Sequence, residues 1–348
     1  MKTSINPLSL SGIEFVEFAS PDSTYMHNVF KDLGFSKLHK HNVKDIYHYQ
    51  QNKINFLLNE EKHGFAHSFA VKHGPSIPSL GLRFRNSDFA FNEAIRRGAS
   101  PVNKDDQDLH YPAIYGIGES IIYFIEESIE NNSIYEKDFN KLDKPEHVKE
   151  IGFLIIDHLT NNVHKGTMQK WVDFYKDIFG FTEAHFFDIK GEMSGLTSYA
   201  LRSPDGSFCI PINEGKEDAS QIEEYLRDYA GPGVQHIALL TKDILRSLDN
   251  IELSNIDTLD INNSYYDSTF KRFPPKSKEI KDRIIHHQVL IDGNDDGNLM
   301  QIFTKNIFGP IFFEIIQRNG CLGFGEGNFQ ALFESIERDQ IKRETIEA

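Results

Sequence analysis

Three residues that could share one metal ion lie far apart in the chain, each inside a short apolar run. His158, His236 and Glu314 are evenly spaced, and their neighbours are mostly Phe, Leu and Ile. An ionisable group in a strand that is otherwise apolar needs a partner, because burying an unpaired charge is costly. Two imidazoles and one carboxylate form the ligand set of non-haem Fe(II) oxygenases, which leaves coordination positions open for chemistry.

Other interpretations of these residues have to be weighed. A single histidine in an apolar strand is more often a hydrogen-bonded core residue than a ligand. Zinc is the main rival metal, because two histidines and a glutamate also suit a catalytic zinc site. Zinc hydrolases commonly carry H-E-x-x-H on a helix, however, and that motif is absent here.

The elements that would position the three residues recur along the chain. An apolar strand after a glycine occurs at Gly12–Phe18 and again at Gly152–His158. In each half a Lys-Asp segment ending in Gly-Phe follows, at Gly34 and at Gly180. The pattern restarts near Leu80 and near Val234, which predicts four βαβββ modules. We therefore expect an α+β protein with two barrel-like domains, each built from paired βαβββ modules.

The repeat also predicts domain boundaries and assigns the chemistry to one half. We expect an N-terminal domain at 1–127, a polar linker at 128–150 and a catalytic domain at 151–348. Phe18 stands in the first half where the repeat has His158, and Gly81 where it has His236. The N-terminal domain is therefore expected to be a metal-free copy.

Local patterns predict several secondary structure boundaries. Apolar residues from Trp171 to Ile178 have helical spacing, and this helix should end at Gly180. Pro204–Gly206 predicts a hairpin turn. In the last helix Phe329, Leu332, Phe333 and Ile336 form one apolar face. That helix could be a mobile lid over a pocket or could pack statically.

Composition excludes several classes of partner. A formal charge of −15 argues against nucleic acid and anionic membranes, which bind basic surfaces. No apolar run is long enough to span a bilayer, and no signal peptide is visible at the N-terminus. Two cysteines cannot form a disulfide framework, so a cytoplasmic location is expected.

Three further motifs carry no function in this interpretation. Asp292–Gly297 resembles the start of a calcium loop but lacks the closing glutamate, so a hairpin turn is expected. Gly323–Gly327 is glycine-rich without the βαβ context of a dinucleotide site. His286 and His287 are expected to be a solvated pair near a strand start.

Four motifs in the second half are specific in combination. They are Gly233-Val-Gln-His236, Leu299-Met-Gln-Ile-Phe-Thr-Lys305, Phe312-Phe-Glu-Ile-Ile-Gln-Arg318 and Gly323-Phe-Gly-Glu-Gly-Asn-Phe329. Together they closely resemble the 4-hydroxyphenylpyruvate dioxygenase family of the vicinal oxygen chelate superfamily. The resemblance is strong in the second half and limited to layout in the first.

The resemblance implies roles for particular residues. His158, His236 and Glu314 would bind one Fe(II) per chain. Substrate would contact a set of polar and aromatic side chains. These are Ser198, Asn213, Gln221, Gln235, Gln301, Phe303, Phe312, Phe324, Asn328 and Phe329. Two have alternatives: Gln235 alternates with His236 and would face away in a regular strand, and Asn328 could be a helix N-cap.

The implied activity is Fe(II)-dependent conversion of 4-hydroxyphenylpyruvate and O₂ to homogentisate and CO₂ in tyrosine catabolism. A phenylalanine wall would hold the ring, and a neutral glutamine would bind the phenol. The resemblance also implies a homo-oligomer, either a dimer or a tetramer. One alternative is 4-hydroxymandelate synthase activity, and another is a non-catalytic small-molecule-binding member of the superfamily.

Overall fold

The computed structural model describes residues 5–347 except 129–132, 191–193, 253 and 255, and leaves the side chains of 339 and 341–347 undescribed. Within the described residues the strands form two eight-stranded mixed sheets, one from each half of the chain. The sheets share one plan. A long first strand pairs antiparallel with the strand that opens the next module, and each of these two also has a parallel neighbour.

The first sheet has the strand order β6-β7-β5-β1-β4-β3-β2-β8. Its strands are β1 Leu10–Ala19, β2 Ser36–His41, β3 Ile46–Gln51, β4 Ile54–Asn59, β5 Ser76–Phe84, β6 Ala113–Tyr115, β7 Ile121–Glu126 and β8 Phe139–Glu146. The second sheet has the order β10-β11-β12-β9-β13-β16-β15-β14. Its strands are β9 Phe153–Val163, β10 Thr182–Lys190, β11 Gly195–Arg202, β12 Cys209–Gly215, β13 Gly233–Thr241, β14 Leu290–Asn294, β15 Gly297–Phe303 and β16 Phe312–Asn319.

Helices follow the opening strands and join the modules. They are α1 Ser23–Asp32, α2 Phe65–His73, α3 Ser87–Arg96, α4 Ile134–Lys137, α5 Met168–Phe174, α6 Gln221–Asp228, α7 Ile244–Ile251, α8 Ser264–Arg272, α9 Lys278–His286 and α10 Glu326–Glu347. The predicted helix end at Gly180 is confirmed: a wider π-type turn at Tyr175–Phe179 extends α5, and Gly180 follows with φ +80°. Both predicted hairpins are present, joining β11 to β12 and β14 to β15.

The expected α+β class with paired modules is confirmed, with two departures from strict βαβββ order. In the second module only two strands, β6 and β7, follow α3. In the fourth module α8 and α9 are inserted between α7 and β14.

The segment predicted as a linker is largely part of the first sheet, so that prediction is wrong for 139–146. Phe139–Glu146 forms β8, which pairs antiparallel with β2 at the edge of the sheet. Its charged, mostly exposed side chains are typical of an edge strand, and the same composition resembles a linker in sequence. We propose that the boundary between the two units lies in 147–152.

A glutamine at that boundary fixes the start of β9. The Gln51 side-chain oxygen accepts hydrogen bonds from the backbone N–H groups of Ile151, Gly152 and Phe153, at 3.0–3.1 Å. Gln51 is fully buried. The first sheet therefore anchors the strand that carries His158.

The predicted correspondence of Phe18 with His158 and of Gly81 with His236 is wrong. In the sheet registers Phe15 pairs with Gly81 as His158 pairs with Ala238, and Glu17 pairs with Ser79 as Thr160 pairs with His236. Phe15 and Ser79 are therefore the counterparts of the two histidines. The Phe18 ring packs against Phe30, Phe56 and Phe308 in the apolar layer between the halves. In β9 the pairing with β13 steps from His158 directly to Ile156, so one extra residue is inserted there. The pairing of β1 with β5 steps in the same way from Phe15 to Ile13, so both halves share this bulge.

Candidate metal centre

Three neighbouring strands of the second sheet bring His158, His236 and Glu314 together. Ala238 on β13 pairs with His158 on one side and with Glu314 on the other, and its small side chain leaves room between them. Glu314 Oε2 lies 3.1 Å from His158 Nε2 and 3.5 Å from His236 Nε2. One ligand atom from each residue lies within 4.8 Å of the others, and all three residues are buried.

A carboxylate behind His158 fixes the ring. Asp157 Oδ2 lies 2.8 Å from His158 Nδ1, and a carboxylate can only accept, so Nδ1 carries the proton and Nε2 is left for a metal. Arg318 donates two hydrogen bonds to Asp157, from Nε at 2.7 Å and Nη2 at 2.8 Å. Carboxylates that orient a ligating histidine in this way are a common part of metal sites.

His236 is held by its neighbour in the chain and by an aromatic ring. Its Nδ1 lies 3.0 Å from Gln235 Oε1, and its ring stacks on Phe312 with centroids 4.7 Å apart. Its Nε2 lies 3.0 Å from the Thr160 hydroxyl, which can donate to it. A shift in the pairing of β13 with β9 between Val234 and His236 accompanies this irregular side-chain placement.

The charges of the three groups depend on one another. Burial disfavours the Glu314 carboxylate, but His158 and His236 outweigh it and lower the pKa of Glu314 to about 2. Burial also disfavours the His158 imidazolium, but Glu314 and Asp157 outweigh it and raise the pKa of His158 to about 9. For His236, burial dominates and lowers the pKa. The centre therefore holds a buried carboxylate that attracts a cation.

This arrangement fits a metal ion. Donors that bind one metal at right angles at about 2.1 Å lie about 3 Å apart, close to the distances from Glu314 Oε2. His158 also has a partner on its non-ligating nitrogen, as ligating histidines usually do. The donor set of two imidazoles and a carboxylate suits Fe(II) and also zinc.

The triad lines a largely apolar cavity of about 400 Å³. The lining side chains are His158, Thr160, Phe187, Ser198, Pro211, Asn213, His236, Gln301, Phe303, Glu314, Phe324, Phe329 and Leu332. Phe329 and Leu332 come from α10, so this helix closes one side. Cavities with apolar walls and a few convergent polar groups are typical of small-molecule binding sites.

Comparisons with known proteins agree on one family. A family model described as hydroxyphenylpyruvate dioxygenase, N-terminal, matches residues 5–140, and one described as the glyoxalase/bleomycin resistance protein/dioxygenase superfamily matches 155–283. The chain is 61% identical to protein MelA of Shewanella colwelliana over 99% of both chains. It is 44% identical to 4-hydroxyphenylpyruvate dioxygenase of Legionella pneumophila over 98% of both. The chain belongs to the 4-hydroxyphenylpyruvate dioxygenase family.

Membership of this family makes the chain an enzyme of the dioxygenase class, and the match at 5–140 extends the sequence similarity to the first half. A solved fusion of a xylose isomerase-like TIM barrel with 4-hydroxyphenylpyruvate dioxygenase superimposes with a TM-score of 0.83 at 29% identity. The match covers 95% of this chain and 53% of the fusion protein. The vicinal oxygen chelate fold is thereby confirmed. Among the described residues, no helix is long and apolar enough to cross a lipid bilayer.

Not every residue that the family resemblance assigns to substrate lies in this cavity. Ser198, Asn213, Gln301, Phe303, Phe324 and Phe329 line it. Gln221, Gln235 and Phe312 instead line a neighbouring cavity of about 970 Å³ between α6, α10 and the β15–β16 loop. Asn328 lies behind Gln301, and it is inside α10 rather than at its N-cap.

Several residues of the site were missed from the sequence. Asp157 is a charged residue within an apolar strand, the same signal that identified His158 and Glu314, and it could have been found by that signal. Arg318 lies between Gln317 and Asn319 at the polar end of β16, so its charge does not stand out in the sequence. Phe187 and Tyr265 gave no such signal. Phe187 lies in a strand with several exposed residues, and Tyr265 reaches the site only through long-range pairing.

The second group of possible metal ligands is at the surface. Among the described residues, Glu252, His286 and His287 have ligand atoms close together where α7 and α9 end. His286 pairs with Glu252 and His287 with Asp249, both at 2.8 Å. The prediction of a solvated pair is wrong for His287, whose side chain is 7% exposed.

Proposed function

We propose that the chain is an Fe(II)-dependent dioxygenase that converts 4-hydroxyphenylpyruvate and O₂ to homogentisate and CO₂, a step of tyrosine catabolism. The observation that supports this most is that His158, His236 and Glu314 cluster at the wall of a cavity lined with phenylalanine rings. The family relation supports the same substrate.

The residues of the chain have separate tasks in this proposal. His158, His236 and Glu314 would hold Fe(II), which when bound supplies open positions for the keto acid and O₂. Phe303, Phe324 and Phe329 enclose the ring and keep water out. Because substrate, O₂ and metal meet in a fixed geometry, the chain contributes mainly orientation.

We assign the phenol hydroxyl to the end of the cavity formed by Ser198 and Asn213. Asn213 Oδ1 is buried and has no hydrogen-bond partner among the described residues. Its Nδ2 donates to Asn162 Oδ1 at 3.2 Å, so Oδ1 is left to accept from a ligand hydroxyl. On β12, Cys209 is the residue that pairs with His158. Asn213 lies four residues further along this strand, which at about 3.3 Å per residue is a distance of about 13 Å. This spacing suits a substrate bound to metal at one end and by its phenol at the other.

The test is anaerobic reconstitution with Fe(II), addition of 4-hydroxyphenylpyruvate and O₂, and identification of the aromatic product by proton NMR. Homogentisate and 4-hydroxymandelate have the same formula, so mass alone does not separate them. Homogentisate has one ring proton fewer, because its ring is hydroxylated. 4-Hydroxymandelate as the product would refute this proposal in favour of the synthase.

A matched pair of variants tests the metal assignment. Glu314→Gln should lower iron affinity by more than about 100-fold, because even residues behind the ligands change affinity by about 10–100-fold. Glu17→Gln changes another buried glutamate outside the centre and should retain iron. A chain that binds the keto acid but neither iron nor O₂ would instead be the non-catalytic binding protein.

A further inference from the structure

A continuous chain of buried hydrogen bonds joins the C-terminal helix to the carboxylate of the metal centre. Gln301 Nε2 donates to Glu314 Oε1, Asn328 Nδ2 donates to Gln301 Oε1, and the Tyr265 hydroxyl donates to Asn328 Oδ1, each at 2.8 Å. Asn328 is in the first turn of α10, and Tyr265 is in α8. Three separate elements therefore meet behind one candidate ligand.

The direction of every bond in this chain follows from the charge of Glu314. A carboxylate only accepts, so Gln301 must present its amide nitrogen to Glu314 and its oxygen to Asn328. Asn328 must then present nitrogen to Gln301 and oxygen to Tyr265, which donates. The Tyr265 proton is shared with the Ile291 carbonyl, also at 2.8 Å. Only one orientation of the Gln301 and Asn328 amides gives the bonds to Glu314 and Gln301 both a donor and an acceptor.

Water cannot replace these bonds, because the middle of the chain is inaccessible to solvent. Asn328 is 0% exposed, Glu314 is 1% and Gln301 is 4%. Losing one member leaves a buried donor or acceptor unpaired, which costs more than the bond itself contributes. Both the nitrogen and the oxygen of the Gln301 amide are hydrogen-bonded within the protein. We therefore assign Gln301 to orienting Glu314 and not to binding substrate.

We propose that Tyr265 and Asn328 are positioning residues that act through Gln301 to keep Glu314 bound to metal by one oxygen only. Glu314 Oε1 is occupied by Gln301, while Oε2 faces His158 and His236. If Oε1 were released, the carboxylate could take a second coordination position, one that substrate or O₂ needs. Because Asn328 belongs to α10, this binding mode requires the helix to be seated over the cavity.

Helix α8 of the protein offers a matched pair of variants at neighbouring tyrosines. Tyr265→Phe removes the hydroxyl that donates to Asn328. Tyr266→Phe removes the adjacent hydroxyl, which is buried and has no hydrogen-bond partner among the described residues. The chemical change is the same, so a difference between the two variants reports the hydrogen bonds of the Tyr265 hydroxyl, to Asn328 and to the Ile291 backbone, and not the loss of a tyrosine.

The readouts are the visible absorption of the Co(II)-loaded protein, without substrate, and amide hydrogen exchange in α10. Tyr265→Phe should shift the Co(II) spectrum toward higher coordination and speed exchange in the first turns of α10 by about five-fold. Tyr266→Phe should do neither. Identical spectra and exchange rates for the two variants would overturn the proposal.

A second variant reverses the donor and acceptor roles in this series of hydrogen bonds and keeps the shape of the side chain. Asn328→Asp cannot donate to Gln301, so Gln301 turns its oxygen toward Glu314 and repels it. We expect Co(II) affinity to fall by at least about ten-fold, and unchanged affinity would contradict the proposal. This inference rests on the proposed function, but its readouts need no turnover. Absence of homogentisate from the unmodified enzyme would refute the function alone.

Discussion

Arg318 binds Asp157 through two hydrogen bonds of 2.7 and 2.8 Å, and Asp157 in turn accepts the Nδ1 proton of His158. Arg318 Nη1 also donates to the backbone oxygens of Cys321 and Gly323, just before α10. Burial opposes the Asp157 carboxylate, but Arg318 and His158 outweigh it and hold its pKa well below the usual value. The pair therefore connects a candidate ligand to the loop that leads into the C-terminal helix.

Breaking this pair should cost stability. Arg318→Met leaves the Asp157 carboxylate buried without its main partner, which typically costs about 3–5 kcal/mol in the free energy of unfolding. Urea denaturation of the metal-free protein near neutral pH measures it. The control is Arg283→Met, which breaks the Arg283–Asp249 pair, whose side chains are 35% and 50% exposed. That change should cost about 1 kcal/mol or less, and equal losses would contradict the expectation.

Replacing Asp157 separates orientation of the ligand from folding. Asp157→Asn keeps the shape of the side chain but weakens its bond to His158 Nδ1 and removes the charge that pairs with Arg318. Metal affinity should fall by about 10–100-fold, as for other partners of ligating histidines. Competition with a chelator measures affinity directly. Unchanged affinity would show that the His158 ring is held by packing alone.

The aromatic wall can be tested at a residue that the sequence did not single out. Phe187 lines the cavity, and its ring meets Phe329 at 5.2 Å and Phe324 at 6.2 Å between centroids. Phe187→Ala should cost about 3–5 kcal/mol in unfolding free energy and admit water. O₂ uptake should then exceed product formation. Phe186→Ala is the control, since Phe186 is the next residue and 45% exposed, and should leave that ratio unchanged.

The parts of this site that could be predicted from sequence share one physical basis. His158, His236 and Glu314 are ionisable residues in apolar strands, and such residues need buried partners. Their assignment as ligands remains a prediction until a metal is measured. The apolar face of α10 could also be predicted from the spacing of its residues, and two of these residues, Leu332 and Phe333, are buried in the structure.

What could not be predicted depends on irregular pairing and long-range contacts. Gln235 has its role behind His236 because the pairing of β13 shifts next to it, and alternation in a regular strand does not anticipate that. Gln301 lines the cavity as predicted, but its hydrogen bonds to Glu314 and Asn328 join residues far apart in sequence, and no local pattern indicates them. The polar composition of the edge strand β8 is also typical of a linker, so the sequence pattern does not separate the two.

Asn213 should discriminate between substrates with and without a phenol hydroxyl. Asn213→Leu removes the acceptor that we assign to that hydroxyl. The ratio of kcat/KM for 4-hydroxyphenylpyruvate to that for phenylpyruvate should fall by about 10-fold or more, because a buried polar group penalises a ligand that cannot pair with it. If both substrates lost activity equally, Asn213 would have a structural role and not this contact.

A buried carboxyl in the first half should make stability depend on pH. Glu17 is 1% exposed, accepts hydrogen bonds from Asn59 and Ser79, and faces the Asp108–Lys44 ion pair. Burial, reinforced by Asp108, raises its pKa from 4.5 to about 7. The folded state therefore holds this proton more tightly than the unfolded chain.

The sign of the effect follows from that difference. Below about pH 4.5 the carboxyl is protonated in both states, so its contribution is full, and it is lost as pH rises to about 7. The loss amounts to about 3 kcal/mol for a shift of this size. Glu17→Gln keeps both hydrogen bonds and should remove this slope from denaturation midpoints measured between about pH 5 and pH 8. Glu126→Gln, at an exposed carboxyl, should retain it, and a slope unchanged by Glu17→Gln would assign the pH dependence to another group.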